Sequence, residues 1–243
     1  MQRRTSAAAA PRRAFTLVEL LVVIIIIAIL AALAVPAVMR ATVTAQNARI
    51  KTEIDMLHQA IMQYKNEYGS FPPCVDFPAG ALNKHLNRLF PRATTGFTPA
   101  EASAIQPNTA IVFWMSGYNT DNPIAPLSGN RKRLFDFDAA RVSAGQFTAP
   151  SKPGSPYIYI DSAHYEIYDA TASAPAGPYG GVYYSHRVPT NLAPKNFIDA
   201  SRPYANADTF QILSAGRDEK FGTDDDLSNF WPGTRGDYSD SLK

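Results

Sequence analysis

The 243 residues suit one soluble domain of ordinary size, or a smaller domain joined to a segment that is not globular. Lysine and arginine number 23 against 21 acidic residues, but Arg3, Arg4, Arg12 and Arg13 all precede Phe15, so the remainder is mildly acidic; this excludes a nucleic-acid binder that works through a broad basic surface. Cys74 is the only cysteine, which excludes an internal disulfide and a cysteine-based zinc site and makes the thiol a small half-buried apolar group.

From Leu20 to Met39 there are 20 consecutive residues without a charged or polar side chain, about the length a helix needs to cross a bilayer. The arginines precede the run and no comparable cluster follows it. The positive-inside rule therefore puts the N-terminus in the cytoplasm and everything beyond Met39 on the other side. Two other readings exist: Arg12-Arg13-Ala14-Phe15 has the look of a twin-arginine export signal, and Ala32-Leu33-Ala34 that of a cleavage site. Against both, the run is longer than a signal core, Glu19 stands at its entrance, and the helical pattern continues past Ala34.

Past Met39 the pattern becomes amphipathic. Ile50, Ile54, Leu57, Ile61, Tyr64 and Tyr68 recur at spacings of three and four and make a single apolar stripe, with Arg49, Lys51, Glu53, Asp55, Lys65 and Glu67 on the other faces. Gly69 stands at the C-cap, with Pro72 and Pro73 behind it. One helix is expected from about Phe15 to Tyr68, roughly 80 Å long at its ordinary rise. Pro36 inside it removes a backbone hydrogen bond and should bend or loosen it.

Arg12-Arg13-Ala14-Phe15-Thr16-Leu17-Val18-Glu19-Leu20 followed by the apolar run resembles the start of the type IV pilin and type II secretion pseudopilin superfamily, and of its branches the major pseudopilin most. The resemblance implies a leader of residues 1–14, removed by a prepilin peptidase between Ala14 and Phe15, with methylation of the new amine. Alanine replaces the glycine that usually precedes the cut. It also implies that Phe15 and Glu19 serve assembly, Glu19 pairing with the Phe15 amine of a neighbouring subunit. Pro36 matches the bend proline of the family. On physical grounds a carboxylate inside an apolar helix is a functional feature, because without a partner it costs several kcal/mol in lipid. A carboxylate snorkelling to the headgroups is the plainer alternative.

Beyond Gly69 the composition changes: 17 of the 19 prolines lie between Pro72 and Pro232, which indicates short elements joined by turns and extended loops. Tyr68-Gly69-Ser70-Phe71-Pro72 resembles the turn by which secretion-type subunits leave their long helix. Ala81 to Phe90 reads as a short helix. Asn108 to Tyr118 fits a buried strand or helix, and Asn108 as N-cap with Gly117 as C-cap favours the helix. Tyr157 to Ile160, His164 to Tyr168, Gly181 to Ser185 and Thr209 to Leu213 read as strands of a small antiparallel sheet packed on the stripe, and the stretches 123–156 and 175–203 as loops. The expected fold is α+β and pilin-like: residues 15–39 as the membrane half of the long helix, 40–70 as its amphipathic half, and 71–243 as a periplasmic region with large loops.

The segment 213–228 holds the second informative motif. Ser214-Ala215-Gly216-Arg217-Asp218 with Gly222 and Asp224-Asp225-Asp226 resembles the calcium loop of major pseudopilins, with Glu219 where that family often has glycine. The resemblance implies Ca2+ held within Asp218, Asp224, Asp225 and Asp226, with backbone carbonyls of Leu213 and Ser214 as the expected additional ligands; of the aspartates, Asp218, Asp224 and Asp226 are the expected set, since neighbours in an extended segment point opposite ways. The spacing does not fit an EF-hand, and on composition alone the aspartate run reads as a solvated loop.

The chain has no nucleophile elbow, zinc-protease helix motif or phosphate-binding glycine loop, and His58, His85, His164 and His186 lack metal-ligand spacing to one another. His58 falls on the exposed side of the long helix. The expectation is therefore no enzyme, but a structural subunit that polymerises through its N-terminal helix. Its expected partners are the prepilin peptidase, copies of itself, other pseudopilins and an inner-membrane secretion platform. The alternatives are a type IV pilus subunit for adhesion or DNA uptake, and a membrane-anchored periplasmic enzyme or binding protein.

Overall fold

The computed structural model describes residues 16–150, 154–168 and 204–240, with backbone alone over 238–240. Two compact units follow one another along the chain, Met1–Ala45 and Gln46–Lys243. Helix α1, Leu17–Tyr68, runs uninterrupted through Pro36, with Glu19 in its first turn and Lys65 in its last. Proline removes one backbone hydrogen bond and crowds the carbonyl one turn back, and the helix continues through both. Its apolar side chains from Leu17 to Met39 are exposed, the arrangement expected of a surface made for lipid or for other apolar helices.

In the second unit the same helix supplies the core. Ile50, Ile54, Leu57, Ile61 and Tyr64 are each at most 1 % exposed, so the stripe read from the three-and-four spacing is the buried face. Gly69 ends the helix with φ +80° and its N–H bonded to the Lys65 carbonyl at 2.7 Å; a residue with a Cβ would be strained there.

The short elements pack around that stripe. Helix α2, Ala81–Leu89, buries Leu82, His85 and Leu86. Helix α3, Pro99–Ala104, starts at a capping box in which Thr98 Oγ1 accepts from Glu101 N–H and the Glu101 carboxylate accepts from Thr98 N–H. Helix α4, Ala110–Met115, buries Ala110, Ile111, Trp114 and Met115. Its N-cap is Thr109, and Asn108 lies buried one residue earlier, a correction of the expected cap. Thr109 Oγ1 instead accepts from Gln106 N–H, fixing the turn that feeds the helix.

The stretch expected to be loop contains a hairpin of β1, Val142–Ser143, and β2, Gln146–Phe147, preceded by a 3-10 turn at Ala139–Arg141. Ala144 and Gly145 both have positive φ, the conformation that lets a two-residue turn match the strand twist. The hairpin is clamped to α1: the Arg141 guanidinium meets the Glu53 carboxylate at 2.5 and 2.9 Å, Tyr157 O–H donates to Glu53 at 2.6 Å, and the guanidinium lies over the Phe147 ring.

The second sheet runs β3, Ile158–Asp161, then β4, Phe210–Ser214, then β5, Leu227–Ser228, all antiparallel, with Ile158 opposite Leu213 and Ser214 opposite Leu227. Every residue of the three strands is buried, so they show no alternation. The strand expected over 164–168 is absent. Asp161 Oδ1 accepts from Ala163 N–H and turns the chain into a 3-10 segment, Ser162–His164, followed by a turn through Tyr168. The expected strand over 181–185 and the expected loop over 175–203 lie outside the described residues. Helix α5, Arg235–Asp240, closes the described chain.

Candidate functional site

At the N-terminus, Ala14 and Phe15 lie outside the described residues, and Thr16 and Glu19 open α1. Glu19 Oε2 accepts from Thr16 N–H at 2.9 Å and from Thr16 O–H at 2.8 Å, while Glu19 N–H donates to Thr16 Oγ1 at 3.2 Å. This is a capping box, and it gives the acid a local role that neither pairing between subunits nor snorkelling had included. The Thr16-Leu17-Val18-Glu19 spacing carries the sequence signal of that box. A cap uses part of the acceptor capacity of a carboxylate, which has about four lone-pair directions, so the other oxygen is open to a cation.

The C-terminal loop is closed by the sheet. Leu213 and Ser214 end β4 opposite Ser228 and Leu227, which returns Asp226 to the mouth of the loop that left at Ser214. Asp225 faces inward: one oxygen accepts from Arg217 N–H at 2.7 Å and Asp218 N–H at 3.0 Å, the other from Thr223 O–H at 2.7 Å. Burial alone would raise its carboxyl, but those donors hold it below the usual range. Gly216, at φ +62°, must be glycine because a Cβ there would run into the backbone and carboxylate of Asp225. Glu219 holds φ +60° without that freedom.

Asp226 differs from Asp225. It is 1 % exposed, one of its oxygens accepts from Gly222 N–H at 2.7 Å, and Oδ1 is buried without a partner. The neighbouring Ser214 hydroxyl is buried and unpartnered as well. Burial pushes the Asp226 acid up to about 7, Asp225 and Asp218 add to the rise, and Gly222 and Arg235 oppose it. A desolvated carboxylate with an orphaned oxygen is the kind of donor that a hard cation takes. Asp218 and Asp224 are exposed, and Asp218 Oδ1 accepts from Lys220 N–H. Among the described residues the four aspartates do not converge as three ligand atoms within 4.8 Å, whereas Cys74, Asp161 and His164 do.

The histidines are used by the fold. His58 is half-buried rather than on an exposed face; its ring lies 4.9 Å from that of Phe210 and its Nδ1 bonds Asn229 at 3.2 Å. Buried His85 meets the Tyr64 hydroxyl at 2.8 Å, and that hydroxyl meets Tyr118 at 2.6 Å. His164 meets Asp161 at 2.6 Å through Nδ1 and the Phe77 carbonyl at 2.8 Å through Nε2. His186 lies outside the described residues. Cys74 is fully buried rather than half-buried, and burial followed by the Asp161 charge pushes its thiol up.

Residues 10–35 match the prokaryotic N-terminal methylation motif. This chain carries a type IV pilin-like signal. The match lies on the stretch that the sequence singles out, and it supports membership of the pilin and pseudopilin superfamily, whose members are structural rather than catalytic; it implies processing by a prepilin peptidase and pilin-like assembly. No curated protein and no solved structure matches the chain. An apolar helix near the N-terminus fits a single-pass membrane anchor.

Proposed function

We propose that the protein is a pseudopilin: a non-enzymatic subunit that is cut before Phe15, methylated, and polymerised through its N-terminal helix into a periplasmic filament of a type II secretion machine. The observation that carries this reading is the continuity of α1. The methylation signal opens a helix whose first half is exposed and apolar and whose second half is the core of a folded domain. A simple anchor needs no such continuation. In this reading the N-terminus is cytoplasmic, the domain is periplasmic, and the partners are the peptidase, copies of the chain, other pseudopilins and the inner-membrane platform.

Glu19 is assigned to pairing with the Phe15 amine of the neighbouring subunit, in addition to its capping contact. A displaced subunit would strand both charges in lipid, so the pair would set the stagger between helices. Calcium belongs to the same proposal. Asp226 Oδ1 supplies its best support, with Asp218 and Asp224 as exposed carboxylates on the same loop and the carbonyls of Leu213 and Ser214 at its mouth. Asp225, tied to the loop backbone, would shape the site from within.

Expression of the wild type with its secretion genes should give periplasmic filaments. Glu19→Ala should insert and be cut normally yet fail to assemble, and a variant that assembles as well as the wild type removes the pairing. Filaments that emerge on the cell surface and promote adhesion or DNA uptake would identify a pilus instead. For calcium, the full chain in detergent should melt higher with the ion than with chelator, by the equivalent of about 2.7 kcal/mol at a hundredfold the dissociation constant. Asp226→Asn should lose that response.

A further inference from the structure

We propose that Cys74, Asp161 and His164 form a zinc site in the core, separate from the calcium loop and from the N-terminal helix. The Cys74 sulfur, an Asp161 oxygen and a His164 ring nitrogen all lie within 4.8 Å of one another. They come from two places far apart in sequence. Asp161 ends β3 and caps the 3-10 turn that presents His164 three residues later. Cys74 is held by the segment before it: Tyr159 O–H donates to the Pro72 carbonyl at 2.7 Å, Trp114 Nε1–H to the Pro73 carbonyl at 2.8 Å, and Cys74 N–H to Asp161 Oδ2 at 2.8 Å.

The donor set selects the metal. Thiolate and imidazole with one carboxylate suit Zn2+ and other borderline ions, while Ca2+ takes oxygen alone. A single cysteine rules out sites built from several and leaves a mixed set open. Around zinc the donor atoms stand roughly 3.3 to 3.7 Å apart, as bond lengths of about 2.0 to 2.3 Å in a tetrahedron require. The 2.6 Å separation of His164 Nδ1 and Asp161 Oδ2 must then open slightly, and the hydrogen bond between them gives way to the ion.

The surrounding bonds are those that metal ligands need. His164 Nε2–H donates to the Phe77 carbonyl at 2.8 Å, which fixes the tautomer and leaves Nδ1 to the metal. Asp161 is steadied by Cys74 N–H on one oxygen and Ala163 N–H on the other. A thiolate, a carboxylate and a neutral imidazole would together neutralise one Zn2+, so a site at most 6 % exposed takes the ion without acquiring net charge.

Because the three side chains are buried, metal should enter as the chain folds, and loading is best done during synthesis. The full chain, produced with zinc or with cobalt in the medium and extracted in detergent, should carry one ion per chain after washing with a calcium-selective chelator. The cobalt form should show a thiolate-to-cobalt charge-transfer band. Cys74 is the only thiol, so that band can come from nowhere else. Cys74→Ser should lose the band and His164→Gln the ion. Wild-type protein with no retained zinc and no thiolate band overturns the site even if neither variant folds, and a cobalt spectrum unchanged in Cys74→Ser overturns it equally.

Discussion

At the scale of single residues, two positions carry measurable consequences. Burial, with Arg88 adding and Asp161 opposing, lowers His85 to about 4. Between pH 6.5 and 4 the unfolded chain therefore binds a proton that the folded one refuses, and stability falls as pH falls, by up to about 3 kcal/mol. Other groups titrate in the same window, so the comparison must isolate this one. Urea unfolding at pH 7 and at pH 4.5 should show a smaller acid loss in His85→Gln, whose amide can still accept from Tyr64; an equal loss contradicts the assignment. Glu219 holds a backbone conformation that costs a side chain about 1 kcal/mol, so Glu219→Gly should raise the melting temperature. The Gly216 and Gly222 turns were legible because glycine marks them. Alternation along an extended segment sets Asp225 apart from Asp224 and Asp226, but its bonds to Arg217, Asp218 and Thr223 depend on how the loop closes and have no local signal.

Among elements, the long helix was the most legible because its signals agree: an apolar run, a stripe at spacings of three and four, and glycine and proline at the end. Leu57 is fully buried on that stripe, so Leu57→Ala should cost about 2 to 5 kcal/mol in urea unfolding. Helix α3 has its capping box in the sequence as Thr98-Pro99-Ala100-Glu101, but its six residues hold no apolar period that would mark a helix. The β1–β2 hairpin escaped for a different reason: Ala144 occupies a left-handed position that asparagine or aspartate normally announces. Ala144→Asn should accordingly stabilise the hairpin without altering it, read as a small rise in melting temperature. Tyr165, Ile167 and Tyr168 gave the 164–168 stretch a strand-like composition, but the Asp161 side chain ends β3 first. Cys74 and Asp161 are 87 residues apart, and nothing local in the sequence brings them together.

For the whole molecule, one sequence signal and one element define the account: a methylation motif over residues 10–35 that opens a helix continuing to Tyr68. The fold class was readable because the periods along the chain change from an unbroken apolar run to an amphipathic stripe to short β-rich segments. The details of the middle region were not, since its elements are held by tertiary contacts such as Glu53 with Arg141 rather than by local pattern. The central claim is that the helix is made to be released into an assembly, and the intact mass of the protein extracted from membranes tests it most directly. The account predicts a chain beginning at Phe15, 229 of the 243 residues long, with one methyl group on its new amine. A chain beginning near Val35, which ordinary signal cleavage would leave, contradicts it, as does a full-length chain in cells that contain an active prepilin peptidase.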